Sequence, residues 1–295
     1  MRNGTSKLKK IVPYLYITPI SLILCVFVIG SVVISIVLGF TKYNIIVEPV
    51  FQGMENYRRL MEDVKFMKAV KNTFKLAIMI VPFQVMISLL ASIIIHANRK
   101  RFLGKLANMI VFIPVLCSNA VVGVVWRELL NGKVPVVEWF FGLFGMDPAM
   151  FLGNAKTALI VVAMVAVWKM VGYYVVIFSS GLLSIPESCY EAAKVDGAGS
   201  MKRFLKITLP LLKPTIIMVL FLSIAGGLQC FDLIFNLTGG GPNNASTTLV
   251  VYAYQLCFSS GKAGYAMAVS NILFIVVLVV ALWQRKLMSR QASEI

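Results

Sequence analysis

The stretch ALIVVAMVAVWKMVGYYVVIFSSGLL, residues 158–183, is 26 residues long and carries a single charged side chain, Lys169. A helix needs about 20 mostly apolar residues to cross a lipid bilayer. Five further runs of this kind are present in the chain. They extend from about Val12 to Phe40, Phe74 to Ile95, Met109 to Val125, Thr215 to Phe235 and Tyr265 to Trp283. The sequence therefore predicts an all-α integral membrane protein with six transmembrane helices.

The composition agrees with this prediction. Of 295 residues, 59% are hydrophobic and only 14% are charged, whereas soluble domains average about 45–50% apolar and about 25% charged residues. Disordered chains are poor in apolar residues and are excluded as well. The chain has one histidine, His96, so catalytic or metal sites that need two histidines are excluded. We predict that the chain binds no metal.

The net charge of +16 is largely a topology signal. The N-terminal tail, the 96–108 loop, the 184–214 loop and the C-terminal tail together hold 16 Lys and Arg residues and only four acids. Because Lys and Arg concentrate in cytoplasmic loops, we expect these four segments, including both termini, to be cytoplasmic. The excess of positive charge then requires no nucleic acid as a partner.

The 31-residue segment SIPESCYEAAKVDGAGSMKRFLKITLPLLKP, residues 184–214, lies between the fourth and fifth predicted helices. Ser184 and Glu187 have the spacing of a capping box, which predicts the start of a helix. Gly197 is expected to end that helix, since glycine is favoured at positive φ. Ser200 then predicts the cap of a second short helix, Met201–Thr208, which Pro210 and Pro214 are expected to end.

The same segment resembles the EAA loop of ABC importer permeases, with the spacing E-A-A-x-x-D-G-A-x-x-x-x-x-F-x-x-I-x-L-P. Every fixed position of that pattern is present between Glu191 and Pro210. By this resemblance the loop couples the permease to its ATPases. The residues expected to do so are Glu191, Ala192, Ala193, Asp196, Gly197, Ala198, Met201, Phe204 and Pro210.

Two other segments resemble the permeases of carbohydrate importers, such as those for maltose and glycerol 3-phosphate. They are the run Leu237–Phe274, which begins LTGGGPNN, and the heptapeptide FQGMENY at residues 51–57. The GGGP form resembles the first permease of a pair. The resemblance implies three divisions of the chain: residues 1–69 with the first helix and an external loop, residues 70–284 as the importer transmembrane domain, and residues 285–295 as a cytoplasmic tail.

In that family, a permease forms half of a heterodimeric pore in the bacterial cell membrane. The resemblance implies a second permease subunit, two ATPase subunits and an extracellular solute-binding protein that delivers a carbohydrate, with membrane lipid around the helices. The chain has no G-x-x-x-x-G-K-[ST] phosphate-binding loop. ATP and Mg are therefore expected on the partner ATPase, and we expect this chain to hold no cofactor and to be no enzyme.

Polar residues inside the predicted helices are candidates for the substrate pathway, because charged groups in a bilayer are costly and often mark pathways. Gln229, Asp232 and Asn236 have the spacing of one helix face. The predicted pathway set is Lys169, Tyr173, Gln229, Asp232, Asn236 and Asn271. Interhelical hydrogen bonds, or an ion pair between Lys169 and Asp232, are the structural alternatives.

The main alternative function is an ion-coupled secondary transporter. Such a protein needs intramembrane ionisable groups, and Lys169 and Asp232 are a small supply. Six helices without a detectable inverted repeat also fit this alternative poorly.

Overall fold

The computed structural model describes residues 4–292. Arg2 and Glu294, two of the charges counted in the terminal tails, lie outside this range. The described chain consists of helices and one β-hairpin. In chain order the elements are α1 (Gly4–Leu24), a π-helical turn (Cys25–Ile29), α2 (Gly30–Gly39), β1 (Thr41–Asn44), β2 (Val47–Phe51), α3 (Glu55–Glu62), α4 (Val64–Ala97), α5 (Phe102–Leu116), α6 (Asn119–Leu129), α7 (Pro135–Gly142), α8 (Pro148–Gly153), α9 (Ala158–Leu183), α10 (Glu187–Val195), α11 (Ser200–Arg203), a π-helical turn (Phe204–Thr208), α12 (Leu209–Leu211), α13 (Lys213–Leu228), α14 (Asp232–Leu237), α15 (Leu249–Tyr254), a π-helical turn (Gln255–Ser259) and α16 (Ala263–Ala292).

Four of the helical stretches in the described range are long and apolar enough to cross a membrane: Tyr16–Gly39, Val64–Ala97, Ala158–Leu183 and Ala263–Met288. Two further pairs pass the same test but are sharply bent. Phe102–Leu116 and Asn119–Leu129 meet at 94°, and Ser200–Leu211 and Lys213–Leu228 meet at 67°. By length and composition, residues 4–292 thus contain four candidate spans, or up to six if each bent pair counts as one.

The predicted third and fifth helices are not continuous. The 94° bend interrupts the third, whereas the break in the fifth lies after the 67° bend and is separate from it. In the third, the break follows Pro114, and Ser118 starts a new helix because its Oγ accepts a hydrogen bond from the Ala120 N–H at 3.3 Å. In the fifth, α13 ends at Leu228 and α14 begins at Asp232. The apolar composition of both runs predicted a span but held little sign of the breaks. The fourth predicted helix, Ala158–Leu183, is confirmed at both ends.

The chain forms two compact units. The first comprises the residues up to Asp63 together with Ala253–Ile272, and the second comprises Val64–Tyr252 and the residues from Leu273 onward. The division at residues 69 and 284 that the resemblance implies stays a prediction.

In the first unit, β1 and β2 form an antiparallel hairpin, an exception to the predicted all-α fold. Two amides pin its elements together. Asn56 is buried, and its Nδ2 donates to the carbonyls of Gly39 and Thr41, both at 2.9 Å. Asn271 Nδ2 donates to the Ser35 carbonyl, and its Oδ1 accepts from Ser35 Oγ at 3.0 Å. Because a buried amide costs stability unless it is hydrogen-bonded, these contacts fix the chain between α2 and the hairpin.

In the second unit, α9 is the central helix. It packs against α4 and α5, α13 packs against α4, and α14 packs against α6. The main core is aliphatic and is centred on α9. Its fully buried members include Leu76, Val162, Val165, Ile234 and Val251.

Candidate functional site

The 184–214 segment contains α10, and the C-terminal end of α10 has the geometry of a Schellman motif. Gly197 has a φ of +72°. Its N–H donates to the Lys194 carbonyl at 3.1 Å, and the Ala198 N–H donates to the Ala193 carbonyl at 2.9 Å. These two bonds satisfy carbonyls that every helix end leaves free. The prediction that Gly197 ends the first helix at positive φ is confirmed.

The predicted capping box at Ser184 is wrong. Ser184 is the residue that ends α9, and its Oγ donates to the Gly181 carbonyl at 2.7 Å. Helix α10 starts at Glu187 with Pro186 in the cap position and no side-chain cap. Ser184 belongs to the end of α9 and not to the start of α10, because the last carbonyls of α9 need hydrogen-bond donors. Three residues separate the end of α9 from Glu187.

The second helix of the segment is longer than predicted. It starts at Ser200, with Gly199 rather than Ser200 in the cap position, and α11, the π-helical turn and α12 follow one another as far as Leu211. Pro210 does not end it. Pro210 is the second residue of α12 and comes just after the π-helical turn, and its lack of an N–H does not interrupt the helix there. The 67° bend instead falls at Leu212, between Leu211 and Lys213.

A hydrogen bond joins the two short helices, and several of their apolar side chains are exposed. Tyr190 Oη and Thr208 Oγ1 lie 3.0 Å apart and share a hydrogen bond between α10 and the second helix. Met201 is 70% exposed and Val195 is 88% exposed, while Phe204 is half-buried. The other predicted coupling residues, Glu191, Ala192, Asp196, Gly197 and Pro210, are exposed, and Ala193 and Ala198 are partly buried. The segment thus exposes a small apolar surface, formed by Val195 and Met201, at the turn between the two short helices.

A charged contact fixes α10 against the loop before α5. Arg99 Nη2 donates to Glu187 Oε1 at 2.9 Å, and Arg99 also contacts His96. Both partners of the ion pair are partly or largely exposed, so its contribution to stability is small. The ion pair joins the first residue of α10 to the loop before α5.

A second site lies where the two broken helices meet α9. A cavity of about 270 Å³ opens between the break in α5–α6, the break in α13–α14 and the middle of α9. Its polar lining consists of Gln84, Asn119, Lys169, Tyr174, Gln229 and Asp232. Interruption of a helix is what frees side chains and backbone groups to face a cavity at membrane depth.

The structure brings together three of the predicted pathway residues, Lys169, Gln229 and Asp232. The prediction that Gln229 and Asp232 share one helix face is wrong, because Gln229 follows the end of α13 and Asp232 is the first residue of α14. Lys169 is only 6% exposed, whereas Asp232 is exposed. Among the described residues no ion pair joins them within 4 Å.

The other three predicted pathway residues lie elsewhere. Tyr173 is 39% exposed and packs on Tyr174 with ring centroids 5.5 Å apart, but it is Tyr174 that lines the cavity. Asn236 Nδ2 donates to the Asp232 carbonyl at 2.7 Å. Asn271 belongs to the first unit, where its amide bonds to Ser35.

Helix α14 reaches this position because α6 carries a glycine where the two helices cross. A Cβ atom on Gly123 would lie 2.9 Å from Asn236 Cβ and 3.1 Å from the Leu233 carbonyl oxygen. Any larger residue would push α14 away from α6 and change the cavity wall.

Gln84 is a cavity residue that the sequence reasoning missed. It is 3% exposed, its Nε2 donates to the Ala166 carbonyl at 3.1 Å, and its Oε1 accepts from Ser223 Oγ at 2.6 Å. One amide therefore ties α4 to both α9 and α13. The signal was available, since an amide in the middle of an apolar run must find partners.

The glycine-rich segment after α14 is a closely bonded loop. Thr247 Oγ1 donates to the Gly240 carbonyl at 2.9 Å, and Asn72 Nδ2, from α4, donates to the carbonyls of Asn244 at 3.1 Å and Thr247 at 3.0 Å. Lys68 Nζ donates to the Asn243 carbonyl at 2.7 Å. The loop is thereby anchored to α4. Asn72 and Lys68 were not predicted to take part.

Comparison with known proteins agrees with this architecture. The chain is 37% identical over 238 residues to the multiple sugar-binding transport system permease protein MsmF of Streptococcus mutans, covering 80% of this chain and 81% of that protein. It is 31% identical to the trehalose/maltose transport system permease protein MalF of Thermococcus litoralis, covering 94% of each.

Among solved structures, a bacterial ABC transporter involved in the import of the acidic polysaccharide alginate matches with a TM-score of 0.86 and 22% identity, over 98% of this chain and 99% of that chain. The match supports the fold of the chain. The model of one family, described as binding-protein-dependent transport system inner membrane component, matches residues 74–293. The chain therefore belongs to the family of inner membrane components of binding-protein-dependent transport systems, and it is a transport subunit and not an enzyme.

Proposed function

We propose that this chain is the first permease of a heterodimeric pair in an ABC importer and that it forms half of the path by which a carbohydrate crosses the membrane. The observation that carries the proposal is the cavity at the two helix breaks. It offers three amide side chains, a phenol, a carboxylate and an ammonium. Donors and acceptors mixed in this way suit the hydroxyl groups of a sugar.

The class of substrate is supported by the relatives. MsmF and the trehalose/maltose MalF are permeases named for sugar transport, and each aligns with most of this chain. We assign the pathway to Lys169, Gln229 and Asp232, with Tyr174 and Asn119 as further lining. The assignment of Tyr173, Asn236 and Asn271 to the pathway rests on the sequence alone.

For the topology, we propose six spans: the four long helices, the bent pair α5–α6, and α13 together with α14. Both termini are in the cytoplasm. This topology places the 184–214 segment on the cytoplasmic side and the 238–248 loop on the outside. The ends of α9 and α13 flank the 184–214 segment at one boundary. The bias of Lys and Arg toward that boundary supports the orientation.

For the partners, we propose that two ATPase subunits dock on α10 and on the helix from Ser200 to Leu211. Val195 and Met201 provide an exposed apolar contact there, and Glu191 provides an exposed carboxylate. The solute-binding protein approaches the outer side. ATP and Mg are held by the ATPases, and this chain supplies no group for them.

The ion-coupled alternative fits the structure less well. In the described part of the chain, the cavity holds two charged residues, Lys169 and Asp232. They lie on different helices and form no ion pair with each other. The exposed apolar surface at the Gly197 turn would also have no role in a transporter that needs no ATPase.

The experiment is a thermal-shift screen of the cognate solute-binding protein against a panel of saccharides, followed by uptake of each hit into proteoliposomes that contain the whole transporter. We expect at least one saccharide to stabilise the binding protein and to be accumulated only with ATP inside. If amino acids or peptides are accumulated and no saccharide is, the proposed substrate class is wrong.

A further inference from the structure

The cavity at the helix breaks contains a charged group that has no partner among the described residues. Lys169 lies near the middle of α9 and is 6% exposed. Across residues 4–292, its ammonium makes no hydrogen bond and no ion pair. Lys169 Nζ is not one of the fully buried unpaired polar atoms of the described residues, so it keeps access to the cavity. It can therefore meet a group of opposite charge on a molecule in the cavity.

A helix N-terminus opens on the same cavity. Helix α6 is 11 residues long, and its first residue, Asn119, is part of the lining. The N-terminal end of a helix carries a partial positive charge and N–H groups without partners inside the helix, which makes it a binding site for anions. At α6 one of these groups, the Ala120 N–H, already donates to Ser118 Oγ. Two positive features, the ammonium of Lys169 and the start of α6, thus face one space.

The carboxylate in the cavity forms no ion pair with Lys169. Asp232 is exposed, belongs to α14, and does not lie within 4 Å of the Lys169 ammonium. The cavity therefore holds a lysine whose side chain is largely buried and two exposed side chains that can form hydrogen bonds, Gln229 and Asp232.

We propose that Lys169 and the start of α6 form an anion site in the cavity and that the transported saccharide carries an acidic group, such as a carboxylate, sulfonate or phosphate. Lys169 and the N-terminus of α6 bind the acidic group, and Gln229 and Asp232 bind hydroxyls of the same molecule. This inference rests on the proposed function, since it assumes that the cavity is part of the sugar path.

The test measures binding to the complete transporter in lipid nanodiscs without the solute-binding protein, so that the selectivity of that protein does not enter. The probes are galacturonate and galactose, which differ by one carboxylate, and binding is followed by saturation-transfer NMR titration. The variants are Lys169→Met and Lys169→Arg. Lys75→Met is the matched control, because Lys75 is an exposed lysine of α4 away from the cavity.

We expect wild type to bind galacturonate more tightly than galactose. Lys169→Met should weaken galacturonate binding by about tenfold to a hundredfold, as for the loss of a charge-assisted hydrogen bond, with galactose binding nearly unchanged. Lys169→Arg should keep the preference for galacturonate, and Lys75→Met should match wild type.

Equal binding of the two probes by wild type overturns the anion site while leaving the sugar path intact. The same conclusion follows if Lys169→Met weakens both probes equally. Binding of neither probe counts against the cavity as the sugar path and thus against the proposed function as well. If Lys169→Met does not assemble, the preference of wild type and of Lys169→Arg decides the question.

Discussion

A substitution at Gly197 tests whether the 184–214 segment couples the permease to its ATPases, as we propose. The φ of Gly197 is +72°, and a Cβ atom built there would meet no atom within 4 Å. A side chain at this position therefore costs conformational energy but causes no collision. For an L-residue in the left-handed region that cost is roughly 1–2 kcal/mol, which lowers the population of the native turn by a factor of about 5–30.

The size of the effect should follow the backbone preference of the new residue. Asn enters the left-handed region readily, Ala enters it at a cost, and a β-branched residue is a true outlier. We expect Gly197→Asn to stay close to wild type, Gly197→Ala to be clearly impaired and Gly197→Val to be impaired most. The membrane helices should be unaffected, because the turn lies outside them.

Gly199 offers a matched control two residues away. It has φ −65° and ψ 165°, a region open to any residue, and a Cβ atom there also meets nothing within 4 Å. Gly199→Val adds the same side chain without backbone strain, and it should behave like wild type.

The assay is co-purification of the ATPase subunits with each variant permease, together with ATP hydrolysis stimulated by the solute-binding protein in proteoliposomes. We expect both signals to fall in the order Asn, Ala, Val at Gly197. Wild-type values for Gly197→Val would refute the claim that this turn presents the docking surface. If Asn is as harmful as Val, the ATPase requires a bare backbone and the argument from φ is wrong.

Three further predictions concern topology, pathway and fold. In a background without the native cysteines, Met201→Cys should react with a membrane-impermeant maleimide only from the cytoplasmic side, and Met61→Cys only from outside; both residues are about 70% exposed (70% and 72%), and labelling of both from one side would contradict the six-span topology. Gln229→Ala should reduce uptake while the complex still assembles, because Gln229 lines the cavity and is exposed; loss of assembly with unchanged uptake per complex would identify a structural role instead. Asn56→Ala removes two hydrogen bonds to backbone carbonyls at 2.9 Å and leaves those acceptors unpaired, so it should lower the free energy of unfolding by about 1–3 kcal/mol; an unchanged melting temperature of the purified complex would refute this, and Glu55→Ala on the exposed side of the same helix is the control.

The sequence predicted the elements whose signals are local. The helix Ala158–Leu183 was predicted at both ends because a long apolar run with no proline has one stable conformation in a membrane. The end of α10 at Gly197 was also predicted, since glycine is the residue that suits a left-handed turn.

The sequence did not predict features that depend on contacts between distant segments. The breaks at Cys117–Ser118 and Gln229–Phe231 lie in runs whose apolar content alone predicts continuous helices. Tyr174 rather than Tyr173 faces the cavity because the orientation of α9 is set by its packing against α4. The partners of Gln84 lie 82 and 139 positions away in the chain, so no local pattern could identify them.

An importer that is driven by ATP and supplied by a binding protein should accumulate its carbohydrate only when both are present. The measurement is uptake of the saccharide identified in the binding-protein screen into proteoliposomes that hold the complete transporter. We expect accumulation that requires both ATP inside and the loaded binding protein outside, and that ionophores leave unchanged. Accumulation without ATP that ionophores abolish would show ion-coupled transport, and the proposed function would be wrong.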